Sequence, residues 1–228
     1  GVFVGLQVSN WNAARADRAV ADAYLERIVA DLSADLDDYD DRLKFWAAVS
    51  DFSRAGLAYA ERGETGGRTA WELLLAFFQA SQVAEFFTTS ATWDEMRSAG
   101  DLRLIRNLDL RRQLARYYTY AGNPALSERP AYREHVRGRI PDGIQAYIWE
   151  LCYASDSSGR QRIIDCAVPI DDAVAKAVVD EIAGDEALMR VLRYWLSTMI
   201  VAGRIGADRV SAATEVKAAV EAELGCAR

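Results

Sequence analysis

One histidine, three cysteines and a run of six arginines are the side chains in this 228-residue chain whose types and spacing could do chemistry. The histidine, His135, sits in AYREHVRGR, which reads as a charged, exposed stretch of helix. With no second histidine in the chain, a histidine-based zinc site is not expected. A Ser-His-Asp or Cys-His arrangement would have to use His135 itself. Gly63, Gly66 and Gly67 lack the Lys-Ser/Thr that follows a phosphate loop and the strand that precedes it. Carboxylates are plentiful, but nothing picks out one raised and one lowered acid. No catalytic, cofactor or metal site is therefore predicted. An enzyme with a carboxylate or arginine site stays as the remotest alternative.

The arginines are Arg97, Arg103, Arg106, Arg111, Arg112 and Arg116, within twenty residues of a chain whose net charge is -7. They alternate with leucine and aromatic positions, and Tyr117, Tyr118 and Tyr120 follow. One reading is a patch for an anionic ligand, a lipid headgroup or an acidic partner, made of Arg103, Arg106, Arg111, Tyr117 and Tyr118. The preferred reading is pairing within the chain, with Asp94, Glu95, Asp101, Asp109 and the aspartates of the first helix. The overall negative charge opposes binding to a phosphate backbone, so no nucleic-acid partner is expected. Cys152 and Cys166 have thirteen residues between them. In an oxidising compartment they pair, and closing such a loop contributes roughly 3 kcal/mol. In a reducing one they are small, partly buried side chains. Cys226 is expected to be free.

The elements that would hold these residues read as helices throughout. The chain has four prolines and is rich in alanine, leucine, arginine and aspartate. Leu25, Val29, Leu32, Leu36, Tyr39, Leu43 and Trp46 alternate four and three apart, a heptad seam on a helix from Asn12 to about Glu61. The seam suits neighbouring helices or a second copy of the chain. Asp31, Asp35 and Asp38 are expected on a solvated face. A second helix, Thr69 to Phe87, is apolar over most of its surface and reads as the central core. Ser90 to Tyr120 predicts a short helical hairpin. Its first helix is capped by Thr92 with Glu95, or by Ser90, and ends at Gly100. Its second is capped by Asn107 or Asp109 and buries Leu110, Leu114, Tyr117 and Tyr118. Gly122-Asn123-Pro124 closes it. Further helices are expected from Glu128 to Ala154 with a break at Pro141, and over Asp171–Ala183, Asp185–Ala202 and Ala207–Leu224, with Arg162 to Val168 extended. Leu151 and Ile200 are assigned to the core. The fold class is an all-α helical bundle with a long N-terminal helix and a central short hairpin.

The opening run GVFVGLQV is uncharged for eight residues, whereas a membrane span needs about 20. It is either the apolar start of the first helix or the last turns of a transmembrane helix. Two stretches resemble a family of uncharacterised bacterial single-pass membrane proteins. Gly5 to Asn12, GLQVSNWN, is similar to the end of that family's span, which reads like IALQVNNWNE. Trp93 to Leu102, Leu104 to Asn107, Leu110-Arg111 and Tyr117-Tyr118 are similar to its pattern YEELKSSGNLSLIKNKELRNKLIEYY, with Trp93 in place of a tyrosine. The resemblance implies that residues 1–8 are the remnant of a truncated span. It further implies that residues 9–228 are one helical domain, with 9–62 as the heptad-bearing helix and 69–228 as the remaining bundle. Such families usually carry a basic segment before the span, which the positive-inside rule keeps in the cytoplasm. The resemblance thus implies a domain in the periplasm, tethered to the inner membrane, where Cys152 and Cys166 are more apt to pair. The family has no assigned activity. The expected role is a binding, interaction or sensory module, with a homodimer or another protein as partner. A structural subunit of a cell-envelope complex is the alternative.

Overall fold

In a computed structural model, which describes residues 2–120, 130–157 and 161–226, the regular structure is almost entirely helical. The helices are α1 (Val2–Arg62), α2 (Ala70–Gln79), α3 (Ala91–Ala99), α4 (Leu108–Tyr118), α5 (Ala131–Arg137), α6 (Asp142–Leu151), α7 (Asp172–Ala183) and α8 (Glu186–Cys226). A 3₁₀ turn, Asp101–Leu104, joins α3 to α4. Strands β1 (Tyr153–Ser155) and β2 (Gln161–Ile163) pair antiparallel, with Tyr153 opposite Ile163. The all-α reading with a long N-terminal helix is what the chain adopts. The expected stop at Gly122-Asn123-Pro124 and the expected start at Glu128 lie outside the described residues.

Backbone contacts group the chain into two compact units. The first comprises Gly1–Tyr39, Phe87–Gly122 and Asp208–Arg228, and the second Asp40–Phe86 and Asn123–Ala207. The sequence shows no linker because the divisions at Tyr39 and Ala207 fall inside α1 and α8.

In the first unit, Leu25, Ile28 and Leu32 of α1 pack with Trp93 and Met96 of α3, Leu110, Leu114 and Tyr117 of α4, and Ala213, Val216 and Val220 of α8. The heptad seam therefore meets a core supplied by its own chain. The hairpin forms as its sequence predicts at two points. Gly100 takes φ 75°, a left-handed conformation that ends α3. The Asn107 side chain accepts from the N–H groups of Asp109 and Leu110, both at 3.1 Å, and so caps α4. The Thr92–Glu95 capping box does not form. Thr92 is buried, Ser90 holds the N-cap position with its hydroxyl donating to Asp94 at 2.7 Å, and Glu95 turns to Arg27 at 2.5 Å.

In the second unit, Trp46 and Val49 of α1, the apolar residues of α2, Val179 and Ile182 of α7, and Leu192 and Trp195 of α8 share one core. Helix α2 starts on a capping box between Thr69 and Glu72 but ends at Gln79, eight residues short of the expected Phe87. The cause is tertiary. The indole N–H groups of Trp195 and Trp46 donate to the carbonyls of Ala80 and Ala84 at 2.9 and 3.0 Å, and Gln79 Nε2 donates to the Cys152 carbonyl at 3.1 Å. The two indoles thus satisfy backbone carbonyls that lie just beyond the last turn of α2. The two helices expected over Asp185–Ala202 and Ala207–Leu224 are instead one, α8, which runs through Gly203 and Gly206. Any Cβ at Gly206 would stand 2.9 Å from both Leu43 and Trp46, so this glycine serves close packing rather than a break. Three positions assigned to the core are exposed: Phe87 at 74%, Leu151 at 49% and Ile200 at 39%.

Candidate functional site

Two of the six clustered arginines pair within the chain: Arg97 with Asp94 at 3.1 Å and Arg112 with Asp109 at 3.2 Å. Arg103, Arg106, Arg111 and Arg116 have no ion-pair partner among the described residues. The five residues read as one patch are not brought together. Arg103 and Arg106 are exposed and line a hollow of about 300 Å³ with Arg18, facing Asp17, Asp22 and Glu223. Tyr117 lines a different hollow of about 610 Å³, with Arg112, Gln113, Arg116 and Arg209 and the carboxylates of Asp109 and Glu215. Arg111 and Tyr118 line neither. Tyr118 stacks on Trp93 with ring centroids 5.2 Å apart, and its hydroxyl is buried without a hydrogen-bond partner among the described residues. Burial pushes that hydroxyl's pKa up, and the nearby charges of Asp31 and Asp35 add to the effect.

Beneath the larger hollow lies a buried polar network. Asp35, expected on a solvated face, is 1% exposed. It accepts from the Tyr117 hydroxyl at 2.6 Å and from the Thr89 N–H at 2.8 Å, which is how a carboxylate is accommodated inside the bundle. Burial, then the Asp35 carboxylate, pushes the Tyr117 hydroxyl far above the ordinary tyrosine range. Tyr39 is pushed up to about 12 by burial, against the opposing pull of Arg209. Arg209 is 8% exposed. Its Nε donates to the Tyr39 hydroxyl at 3.2 Å and its Nη2 to the Tyr117 carbonyl at 3.0 Å. Its guanidinium lies 4.3 Å from the centre of the Tyr117 ring and 4.4 Å from that of Tyr120. A cation–π contact is worth about 2 kcal/mol when desolvated, as against the buried Tyr117, and less against Tyr120, which is exposed. No carboxylate forms an ion pair with Arg209 among the described residues.

Sequence reasoning left out Arg209. Its signal was positional: Arg209, Ala213, Val216 and Val220 stand four, three and four apart, so the arginine occupies the inward stripe of an alanine-rich helix. A charge placed there must have partners.

The second unit holds the remaining candidates. His135 is exposed on α5, and its carbonyl accepts from Arg139 at 2.9 Å. Among the described residues, no serine, cysteine or carboxylate is hydrogen-bonded to its ring. The Arg137 guanidinium sits between the Phe78 and Trp149 rings, 4.7 and 4.8 Å from their centres. It donates to Ser81 Oγ at 2.9 Å and Gln82 Oε1 at 3.1 Å. Burial first, and the neighbouring Arg133 charge second, lower its pKa, though a guanidinium stays protonated at neutral pH. Cys152 and Cys166 are joined by a disulfide. Among the described residues, no group of three or more histidine, cysteine, aspartate or glutamate side chains is placed to hold a metal ion. No described helix is long and apolar enough to cross a membrane. No protein family, curated protein or solved structure matches the chain.

Proposed function

We propose that the chain is the extracytoplasmic, membrane-tethered part of an inner-membrane protein and acts as a binding module. The observation that carries the location is the Cys152–Cys166 disulfide, since such bonds persist in oxidising compartments and are rare in the cytoplasm. Two features of α1 support the tether. Gly5 to Asn12 resembles the end of a single-pass span, and Trp11 is 60% exposed, a residue type enriched where helices leave the bilayer. Arginines with no ion-pair partner among the described residues, beside two open hollows, support binding as the role. A protein partner or a second copy would have to meet other surfaces than the heptad seam, because Leu25, Leu32, Tyr39 and Trp46 are already buried.

The location is tested by expressing the full-length gene in a Gram-negative bacterium. The protein is expected in the membrane fraction, resistant to protease in intact cells and cleaved in spheroplasts. Cys152 and Cys166 should resist alkylation until reduced. Recovery from the cytosol with both cysteines as free thiols would refute the proposal.

A further inference from the structure

We infer that the hollow between α4 and the C-terminal part of α8 is a binding site for a small organic oxyanion, a carboxylate or a phosphate monoester. This deepens the binding half of the proposed function and does not depend on the membrane tether. All of its residues belong to the first unit.

The argument starts from Arg209. A guanidinium has five N–H donors. Two of Arg209's are used, by the Tyr39 hydroxyl and the Tyr117 carbonyl, and the others have no acceptor among the described residues. The side chain is more than nine-tenths buried and lines the hollow. Burying a cation without a counter-ion costs several kcal/mol, which the two tyrosine rings offset in part. A bound oxyanion would supply the missing charge and accept the remaining donors, and a guanidinium fork suits a planar carboxylate or a phosphate face.

The rim carries the same sense. Arg112 and Arg116 stand four residues apart on α4, where like charges repel. Arg112 is relieved by Asp109 at 3.2 Å, while Arg116 has no ion-pair partner among the described residues. An anion between Arg116 and Arg209 relieves both. Asp109 and Glu215 also line the hollow, so three guanidiniums face two carboxylates and the surplus is one positive charge. That balance selects a ligand of low charge over a polyanion. The volume, about 610 Å³, lies in the range of small-ligand pockets and exceeds what a bare ion fills.

The test is isothermal titration of the purified chain with benzoate, phenyl phosphate, inorganic phosphate and the neutral analogue benzamide, with chloride at matched ionic strength as the control. Benzoate or phenyl phosphate is expected to bind, and whichever is tighter names the source. Arg209→Met is expected to weaken binding about tenfold or more, the worth of a charge-assisted hydrogen bond. Because that variant also removes two buried hydrogen bonds that hold the fold, Arg116→Ala is the second arm. It should weaken binding several-fold with an unchanged circular dichroism spectrum, and Glu215→Gln should tighten it. No heat beyond the chloride control from the folded wild-type chain overturns the inference. So does binding that Arg116→Ala and Glu215→Gln leave unchanged. Equal binding of benzamide also overturns it, while leaving the binding-module reading in place.

Discussion

Asp35 occupies a stripe of α1, running Ile28, Leu32, Asp35, Tyr39, Arg42, Trp46 and Val49, that is otherwise filled mostly by apolar side chains. Its acceptors hold Tyr117 and the backbone at Thr89, so its removal orphans two donors at once. Asp35→Ala is expected to cost about 3 kcal/mol in urea unfolding, and Asp35→Asn less, because the amide keeps one acceptor. A loss under about 1 kcal/mol in the alanine variant would mean that water replaces the carboxylate without difficulty. Tyr39 gives a pH prediction. Its pKa rises from 10.0 to about 12 in the fold, so between those values the folded chain keeps a proton that the unfolded chain has lost. The stability linked to this group is fully present below about pH 10 and is lost as pH rises through about 12, with a slope of about 1.4 kcal/mol per pH unit. Tyr39→Phe is expected to remove that part of the slope from urea midpoints measured across the alkaline range. An unchanged slope would show that the hydroxyl ionises as freely inside the bundle as outside.

At the scale of elements, two glycines on one helix are expected to behave oppositely. A Cβ at Gly203 meets nothing within 4 Å, so Gly203→Ala should stabilise α8 by about 1 kcal/mol. At Gly206 the same Cβ collides with Leu43 and with Trp46, whose indole is pinned to the Ala84 carbonyl, so Gly206→Ala should destabilise by about 1–3 kcal/mol. Thermal melts of the two variants decide the matter, and a matching sign would mean that α8 packs otherwise there. Gly100 differs again: the space around it is open, but its φ is 75°, so Gly100→Val should cost about 2 kcal/mol through the backbone alone. These cases mark what was legible in the sequence. Local signals were read correctly where the chain acts locally, as in the left-handed stop at Gly100 and the Asn107 cap. They failed where distant residues intervene. Nothing near Gln79 announces that Trp195 will take a carbonyl one residue on, and nothing near Gly206 announces Leu43 and Trp46. The candidate site was half-legible for the same reason: α4's arginines are adjacent in sequence, while Arg209 reaches the Tyr117 carbonyl across 92 positions.

The whole molecule raises the question of whether its two cores unfold as one. The Cys152–Cys166 bridge belongs wholly to the second, where Cys152 is fully buried and its carbonyl accepts from Gln79 of α2. It closes a short loop, with a sequence separation of 14, around the β1–β2 hairpin. A loop of that size constrains the unfolded chain by about 3 kcal/mol. Replacing both cysteines by serine is therefore expected to lower stability by that order, and reductant should do the same to the wild type. The location of the loss is more informative than its size. Amides of α2 and α7 share the core of the bridge and should lose hydrogen-exchange protection, whereas α3 and α4 pack in the other core and should keep theirs. An even loss over all four helices would mean that α1 and α8, continuous through both units, tie them into one cooperative structure, and that the division is one of geometry without independent stability.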